Sequence, residues 1–338
     1  MAVSISSRLD QPALVVLLAD GHLHSGECLA KELRVSRAAV WKGVQRLRAL
    51  GVPVLALPRR GYRLPDPVEM LDRRCIDAQL DPQRQAQVRA FELLFDVDST
   101  NTRLLAAPPP PPGSADICLS ELQHAGRGRR GRRWIAPFGA GIALSVAWTF
   151  SDGARTLPAL SLAVGVAVWR ALVRVGARGV TLKWPNDIWF QDRKIGGVLI
   201  ELRAEASGPA HVVIGIGINV TLPAAARREI EAGAVQVAAV ADACAGSPSR
   251  NAVAGAILDE LLSMLGQFER EGFEAFRDAW LALDALDGRP ARVVLADTAV
   301  SGTARGVDAE GALLLDTGDR VQRFVSGEAS LRLPKGDT

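Results

Sequence analysis

Apolar positions in the first sixty residues recur at helical spacing and then change to short alternating runs. Residues 12–19 read as a short helix. Ser25 caps a second over 26–33, with Leu29, Ala30 and Leu33 on one face. Ser36 caps a third running to about Leu50, with Val40, Val44, Leu47 and Leu50 as its buried stripe and Gly51 as its stop. Its other face shows Arg37, Trp41, Lys42 and Arg48. Residues 52–57 and 61–64 can then pair as a hairpin around Pro58-Arg59-Arg60-Gly61. Helix, helix, turn, helix and basic hairpin is the winged helix-turn-helix pattern.

Pro65-Asp66-Pro67 marks a linker, and residues 68–80 read as a connecting helix. Strand-like runs follow at 91–97, 116–121, 141–149, 180–183, 198–202 and 211–220, and a largely buried helix at 157–175. Asp98-Ser99-Thr100-Asn101 is a polar cluster, expected to cap the next helix with the Ser99 or Thr100 hydroxyl. Asn186-Asp187 reads as a turn between strands, and the five prolines at 108–112 as an exposed polyproline loop. The pattern predicts a mixed sheet with helices on one face, and Gly215 and Gly217 inside a strand point to close approach by a ligand or another backbone. Helices are expected at 251–268 and 274–285. From 288 to 333 short strands alternate with turns at 297–298, 308–311 and 317–319, the signature of a small SH3-like β-barrel. The whole is a multidomain α+β chain divided as 1–66, 67–286 and 287–338.

Composition narrows the function classes. The 338 residues are 48% hydrophobic, enough for two or three packed cores. The longest apolar stretch, 157–169, ends at Arg170 too soon to span a bilayer, and no signal-type run opens the chain, so a cytoplasmic protein without a membrane partner is expected. Cys28, Cys75, Cys118 and Cys244 lack zinc-site spacing and read as reduced, mostly buried thiols. Net charge is +3, yet residues 1–66 hold ten Lys or Arg against five Asp or Glu, leaving a slightly acidic remainder. That asymmetry suits a small DNA-binding module on a near-neutral enzyme. Ser36, Arg37, Ala38, Ala39, Trp41 and Lys42 are the candidate groove-facing residues, and Arg59 and Arg60 the phosphate contacts.

Gly126-Arg127-Gly128-Arg129-Arg130-Gly131-Arg132-Arg133-Trp134 carries three glycines and five arginines before a tryptophan. Glycines let backbone N–H groups approach a ligand, arginines supply forked donors for carboxylate or phosphate, and Trp134 offers a flat apolar wall. With Asp98-Ser99-Thr100-Asn101 upstream, and Lys183-Trp184-Pro185-Asn186-Asp187, Lys194 to Glu201 and Gly215-Ile216-Gly217-Ile218-Asn219 downstream, the order and spacing strongly resemble the biotin protein ligases. With the N-terminal module, the chain resembles their bifunctional bacterial branch, ligase and biotin operon repressor in one polypeptide, over roughly residues 12–333.

The resemblance implies a class II synthetase-like central domain. Its chemistry joins the biotin carboxylate to the α-phosphate of ATP, with Mg²⁺, and passes the acyl group of biotinyl-5′-AMP to a lysine of the biotin carboxyl carrier protein of acetyl-CoA carboxylase. Such a reaction needs cations and oriented donors rather than a protein nucleophile. Carried over, the resemblance makes Ser99, Thr100, Asn101 and Gln123 polar contacts to biotin, with Gly126, Arg127, Gly128 and Arg129 around it. Trp134 becomes a wall, and Gly197 and Gly217 permit close approach. Lys194 would meet the biotin carboxylate and α-phosphate, Arg129 and Arg132 would hold phosphates, Asn219 would face adenine, and Arg332 would reach back from the C-terminal domain. Arg129, Lys183, Asp187 and Lys194 are the implied catalytic set, with Asp187 beside Mg²⁺ or the incoming lysine. Operator DNA and a homodimer promoted by biotinyl-5′-AMP are the implied partners. Three alternatives stay open: a lipoate or octanoate ligase, a transcription regulator that senses biotin without catalysis, and a monofunctional biotin ligase with an idle winged helix. One departure stands out. The family's repressor branch stacks an aromatic on adenine after the GxGxN strand, whereas residues 221–240 contain none here, leaving Ile230 or Val235 to close that end.

Overall fold

The computed structural model describes residues 10–151, 157, 159–204, 208–233, 235–295 and 298–331. At the N-terminus, α1 (Gln11–Leu18), α2 (Gly26–Glu32) and α3 (Arg37–Ala49) precede a two-stranded wing, β1 (Leu55–Leu57) and β2 (Gly61–Arg63). Both predicted caps are made: Ser25 Oγ accepts the Cys28 N–H and Ser36 Oγ the Ala39 N–H, each at 3.1 Å. Leu14, Val15, Leu18, Leu29, Val40, Val44 and Leu47 form the module's core, while Leu50 is only partly buried. Gly61 has φ +135° because a Cβ there would lie 2.0 Å from the His24 carbonyl oxygen, where His24 bridges to Tyr62 beside the wing. The core does not stop at the module boundary. Leu122 and Phe138 of the next unit belong to it, with Phe95 packed alongside.

The connecting helix expected over 68–80 is shorter. Only α4 (Arg73–Asp77) forms, followed by α5 (Pro82–Gln87). The backbone of 68–72 bonds elsewhere: the Val68 N–H to the Ala19 carbonyl, the Leu71 N–H to Glu121, and the Met70 carbonyl accepts from Asn251. Glu121 also meets Arg250 at 2.8 Å in a buried pair, and Arg250 donates to the Glu69 carbonyl. An extended linker is thereby clamped to the central unit.

That unit is a seven-stranded sheet in the order β3-β4-β5-β9-β8-β7-β6. Its strands are β3 (Val88–Val97), β4 (Ala115–Gln123), β5 (Gly141–Phe150), β6 (Val180–Lys183), β7 (Asp187–Phe190), β8 (Arg193–Ala204) and β9 (Ala210–Asn219). Only β3 and β4 run parallel, joined by a crossover through α6 (Thr100–Leu105). Helices α7 (Leu160–Arg174), α9 (Arg250–Glu271) and α10 (Glu274–Leu281) cover one face, packing on Ile117, Leu119, Leu144 and Ile216. The expectation of helices on one face alone is corrected by α6, whose Leu104 packs on Cys118, Ala147 and Val213 of the other face. Alternation along β4 and β5 separates the two sets. Helix α8 (Ala224–Glu231) follows β9.

Three further expectations change. Ser99 is the N-cap residue of α6 but its side chain makes no cap hydrogen bond. Asp187 opens strand β7 rather than sitting in a turn. The proline run is tied into the fold: Pro110 is buried, and the carbonyls of Pro108 and Pro110 accept from Arg89 and Thr149. Of the free cysteines only Cys118 is buried, where burial pushes its thiol up to about 12; Cys28 and Cys75 are exposed.

The C-terminal unit pairs β10 (Pro290–Val294), β11 (Ala299–Val307), β12 (Leu313–Asp316), β13 (Val321–Phe324) and β14 (Glu328–Leu331) in the order β13-β12-β11-β10-β14, all antiparallel. This fits an SH3-like sheet, with no closing pair among the described residues. The 308–311 and 317–319 turns form as expected. Asp297, in the third expected turn, and Arg332 lie outside the described residues. Among the described residues no helix is long and apolar enough to cross a membrane.

Candidate functional site

A cleft of about 1540 Å³ crosses the sheet between α6 and the C-terminal unit. Pockets for one small molecule run to roughly 300–1,000 Å³, so this one has room for two joined substrates. All five motifs converge on it because β5, β9 and β8 are neighbours and the flanking loops close over their ends.

At one end, β4 finishes with Gln123 beside the first turn of α6. The Gln123 carboxamide oxygen accepts the Thr100 N–H at 2.9 Å and the Thr100 hydroxyl at 3.1 Å. That leaves the Gln123 amide nitrogen as its donor end. Ser145 Oγ on β5 lies 2.7 Å from Thr100 Oγ1 and 2.5 Å from Asn101 Oδ1, and its single proton serves one of them. Asn101 donates to Glu201 at 2.7 Å, and Arg127 meets the other Glu201 oxygen at 3.4 Å. Ser99, Thr100, Asn101 and Ser145 are all buried. This end therefore offers fixed hydroxyl and amide groups inside an apolar surround, suited to a small neutral polar ring. Ser145 and Glu201 had no predicted role. The only sequence signal for Ser145 was a polar residue at an inward position of an otherwise apolar strand.

The arginine-rich segment is a hairpin-like loop. Gly126 O accepts the Trp134 N–H at 2.8 Å, the Gly128 N–H reaches Arg132 O at 2.7 Å, and Arg127 bridges to Arg133. The chain reverses through Arg130 at φ +55° and Gly131 at φ +71°. The fold of the loop sets Trp134 flat against β9: a Cβ at Gly217 would lie 2.6 Å from its ring. The Trp134 indole nitrogen is buried with no hydrogen-bond partner. Arg129 reaches Asn186 at 3.5 Å, and Arg127, Gly128, Arg129 and Arg132 all line the cleft. Gly126 lies behind the lining, where a Cβ would meet the Trp134 carbonyl at 2.9 Å.

In the middle, Lys194 Nζ donates to Asp187 Oδ1 at 2.6 Å and sits 5.9 Å from the Trp134 ring centroid. Lys183 Nζ lies 3.7 Å from the other Asp187 oxygen and 4.6 Å from the Trp189 ring centroid. Gly197 opposes Asp187 in register, and a Cβ there would stand 3.2 Å from Lys194 Nζ. The pair of ammonium groups around one carboxylate leaves net positive charge at the centre of the cleft, where two anions brought together would otherwise repel. Among the described residues no group of three or more His, Cys, Asp or Glu gathers to hold a metal. Asp187 already takes two lysines, Lys194 at 2.6 Å and Lys183 at 3.7 Å.

The far end is bounded by Asn219, Ile230, Val235 and Val237, with Arg289, Pro290, Val294, Ala329 and Leu331 from the C-terminal unit. Buried Asn219 donates to the Ala238 carbonyl at 3.1 Å. Ile230 and Val235 line this end of the cleft, in a segment that lacks an aromatic. The DNA-facing candidates stand apart, as expected: Ser36, Arg37, Ala38, Trp41, Lys42, Arg59 and Arg60 are exposed on the N-terminal module, with Ala39 half-buried.

Comparison with known proteins agrees with this geometry unit by unit. The family model for the biotin/lipoate A/B protein ligase family matches residues 94–219, that for the HTH domain residues 10–63, and that for the biotin protein ligase C terminal domain residues 288–332. The bifunctional ligase/repressor BirA of Escherichia coli (strain K12) is 40% identical over 320 residues, covering 94% of this chain and 96% of that protein. Its namesake in Bacillus subtilis (strain 168) is 29% identical, covering 91% and 93%. Among solved structures, the biotin protein ligase from Aquifex aeolicus in complex with biotin and ATP superposes with a TM-score of 0.61 at 27% identity, covering 72% of this chain and 99% of that one. With both its ligase unit and its N-terminal helix-turn-helix matched along nearly full length, the chain belongs to the bifunctional biotin ligase/repressor family.

Proposed function

We propose that this protein activates biotin with ATP, transfers it to a lysine of a biotin carboxyl carrier protein, and represses biotin-synthesis genes by binding operator DNA through its winged helix. The observation that carries the ligase reading is the single cleft that holds the Thr100–Gln123–Ser145 polar end, the Lys194–Asp187–Lys183 centre, the Arg129 and Arg132 loop and Asn219 in that order.

The order matches the order of groups in biotinyl-5′-AMP. The ureido ring enters between Ser99, Thr100, Gln123 and the Trp134 wall. Lys194 holds the biotin carboxylate against the α-phosphate, lowering the repulsion between them, while Arg129 and Arg132 hold phosphate oxygens. Adenine packs on Ile230 and Val235 beside Asn219. Magnesium bound with the triphosphate would supply further charge neutralisation beside Arg129 and Arg132. Asp187, freed from Lys194 as that ammonium turns to the acyl phosphate, is the carboxylate that orients the carrier lysine. These assignments also favour the biotin branch over lipoate, since a lipoyl chain has no ureido group to use Gln123 and Thr100. Localisation is cytoplasmic on this reading.

The repressor reading is supported by the exposed N-terminal turn of α3 and the basic wing beside it. One winged helix makes few base contacts, so two joined across an inverted repeat are needed, and biotinyl-5′-AMP promotes that homodimer. Streptavidin blotting of a carrier domain incubated with the protein, biotin, ATP and Mg²⁺ tests the ligase activity. A single labelled lysine is the expected result, and an unlabelled carrier with folded enzyme contradicts the reading. Sedimentation of the apo, biotin-bound and adenylate-bound protein tests the switch; equal association in all three states contradicts it.

A further inference from the structure

We propose that Trp184 is a positioning residue that sets the C-terminal sheet over the nucleotide end of the cleft, through its indole hydrogen bond to Gly311. The inference rests on the ligase reading for its kinetic consequence, but its structural core does not.

Trp184 lies between two groups of the cleft centre, Lys183 at the end of β6 and Asp187 at the start of β7, and while it contributes to the cleft lining, its indole nitrogen turns to the C-terminal unit. It is 2% exposed, and its Nε1 donates to the Gly311 carbonyl at 3.1 Å. Gly311 belongs to the β11–β12 turn, which is built to be stiff. Asp308 Oδ1 accepts the N–H groups of Glu310 and Ala312 at 3.1 and 2.8 Å, the Gly311 N–H reaches the Asp308 carbonyl, and Arg323 bridges Asp308 and Glu310. Gly311 itself has φ +79°, and a Cβ there would come within 2.7 Å of Ala159 Cβ. A rigid tip is thus seated in a socket made by Trp184 and the N-terminus of α7.

Two other ties reach the same stretch of the central unit. Leu182 exchanges backbone bonds with Leu283 and Ala285, both at 2.8 Å, and Arg289 makes a bidentate pair with Asp192 at 2.7 and 2.9 Å. All three ties converge on residues 182–192, the segment that carries Lys183 and Asp187, and the sheet they hold contributes Arg289, Pro290, Val294, Ala329 and Leu331 to the cleft. The arrangement makes the C-terminal sheet's register a property of the Lys183–Asp187 segment. The Arg289–Asp192 pair is exposed and contributes little by itself. The indole bond is dry and directional, and an orphaned buried carbonyl is its alternative.

The test is Trp184→Phe, which keeps an aromatic ring but removes the donor, with Gly311→Ala as a second variant that dislodges the tip from the opposite side. Loss of one buried hydrogen bond predicts an ATP KM raised about tenfold in biotin-dependent pyrophosphate exchange. Biotin affinity without nucleotide, measured by calorimetry, should stay unchanged, and amide hydrogen exchange should quicken at 308–312 and 283–288. A merely structural role would instead lower biotin affinity in step with ATP. Unchanged KM and unchanged exchange in both variants, or parallel loss of both substrates, overturns the proposal. If Trp184→Phe does not fold, Gly311→Ala is read by the same criteria. Should the wild-type protein show no biotin-dependent exchange at all, the ligase reading fails by itself, and the amide exchange of 308–312 still decides whether Trp184 holds the tip.

Discussion

Lys194 and Gly217 show how differently single residues serve one cleft. On the proposed reading Lys194 is chemical: its ammonium, 2.6 Å from Asp187 and 5.9 Å from the Trp134 ring centroid, meets the biotin carboxylate and α-phosphate. Lys194→Met should slow adenylate formation by about 10²–10³, read in single-turnover kinetics with radiolabelled ATP, while the fold is retained. Gly217 is steric. Gly217→Ala places a methyl 2.6 Å from the Trp134 ring, so the wall must shift, and the biotin KM should rise by about tenfold or more with little change in kcat. A Gly217→Ala enzyme with wild-type biotin KM would show that Trp134 does not form the wall. Arg129 lines the cleft and reaches Asn186 at 3.5 Å, which places its guanidinium where the proposed reading puts phosphate oxygens. Arg129→Ala should let the reactive adenylate escape, seen as biotin on bystander lysines of added bulk protein. Labelling no higher than wild type in an active mutant removes Arg129 from that role.

At the scale of elements, the winged helix and the ligase sheet share a boundary yet carry separable jobs. Arg37→Ala on the first turn of α3 should weaken operator binding and leave pyrophosphate exchange unchanged, checked by gel shift and by the exchange assay in parallel; loss of both would contradict the division. Ser36→Ala removes a cap worth about 1 kcal/mol and should lower the module's unfolding temperature as well as DNA affinity. Most of these elements were legible because their signals are local. Ser25, Ser36 and Gly51 are caps and stops that act within one turn, and the runs of β5 and β9 are long and mostly apolar. What escaped was decided at a distance. Residues 68–72 have a helical pattern but spend their backbone bonds on Ala19, Glu121 and Asn251, partners far along the chain. Asp187 has turn chemistry, yet pairing with Gly197 draws it into a strand. The cleft's residues were legible as motifs, Glu201 among them, but the parts played by Ser145 and Glu201 were not, since a polar residue in a strand says nothing of what it faces until the sheet is assembled.

For the whole molecule, the joints between units matter most. The junction to the C-terminal sheet buries Asp284, whose Oδ1 accepts the Leu286 N–H while Oδ2 has no partner among the described residues. Burial pushes this carboxyl from 3.8 up to about 6. Below pH 3.8 the group is neutral both folded and unfolded and costs nothing; between pH 3.8 and about 6 the unfolded chain ionises while the folded one keeps its proton, so stability falls across that window and levels off above it. Asp284→Asn should therefore be the more stable protein above pH 6, by up to about 3 kcal/mol, with the difference vanishing near pH 4. Urea unfolding across that range checks it, and an advantage independent of pH would contradict the assignment. On the proposed reading one cleft activates biotin as an adenylate. Its most direct measurement is exchange of labelled pyrophosphate into ATP by the purified protein, with biotin and with lipoate as the acid. Exchange that requires biotin and ignores lipoate is the predicted result; exchange with lipoate, or none with either acid, would contradict it.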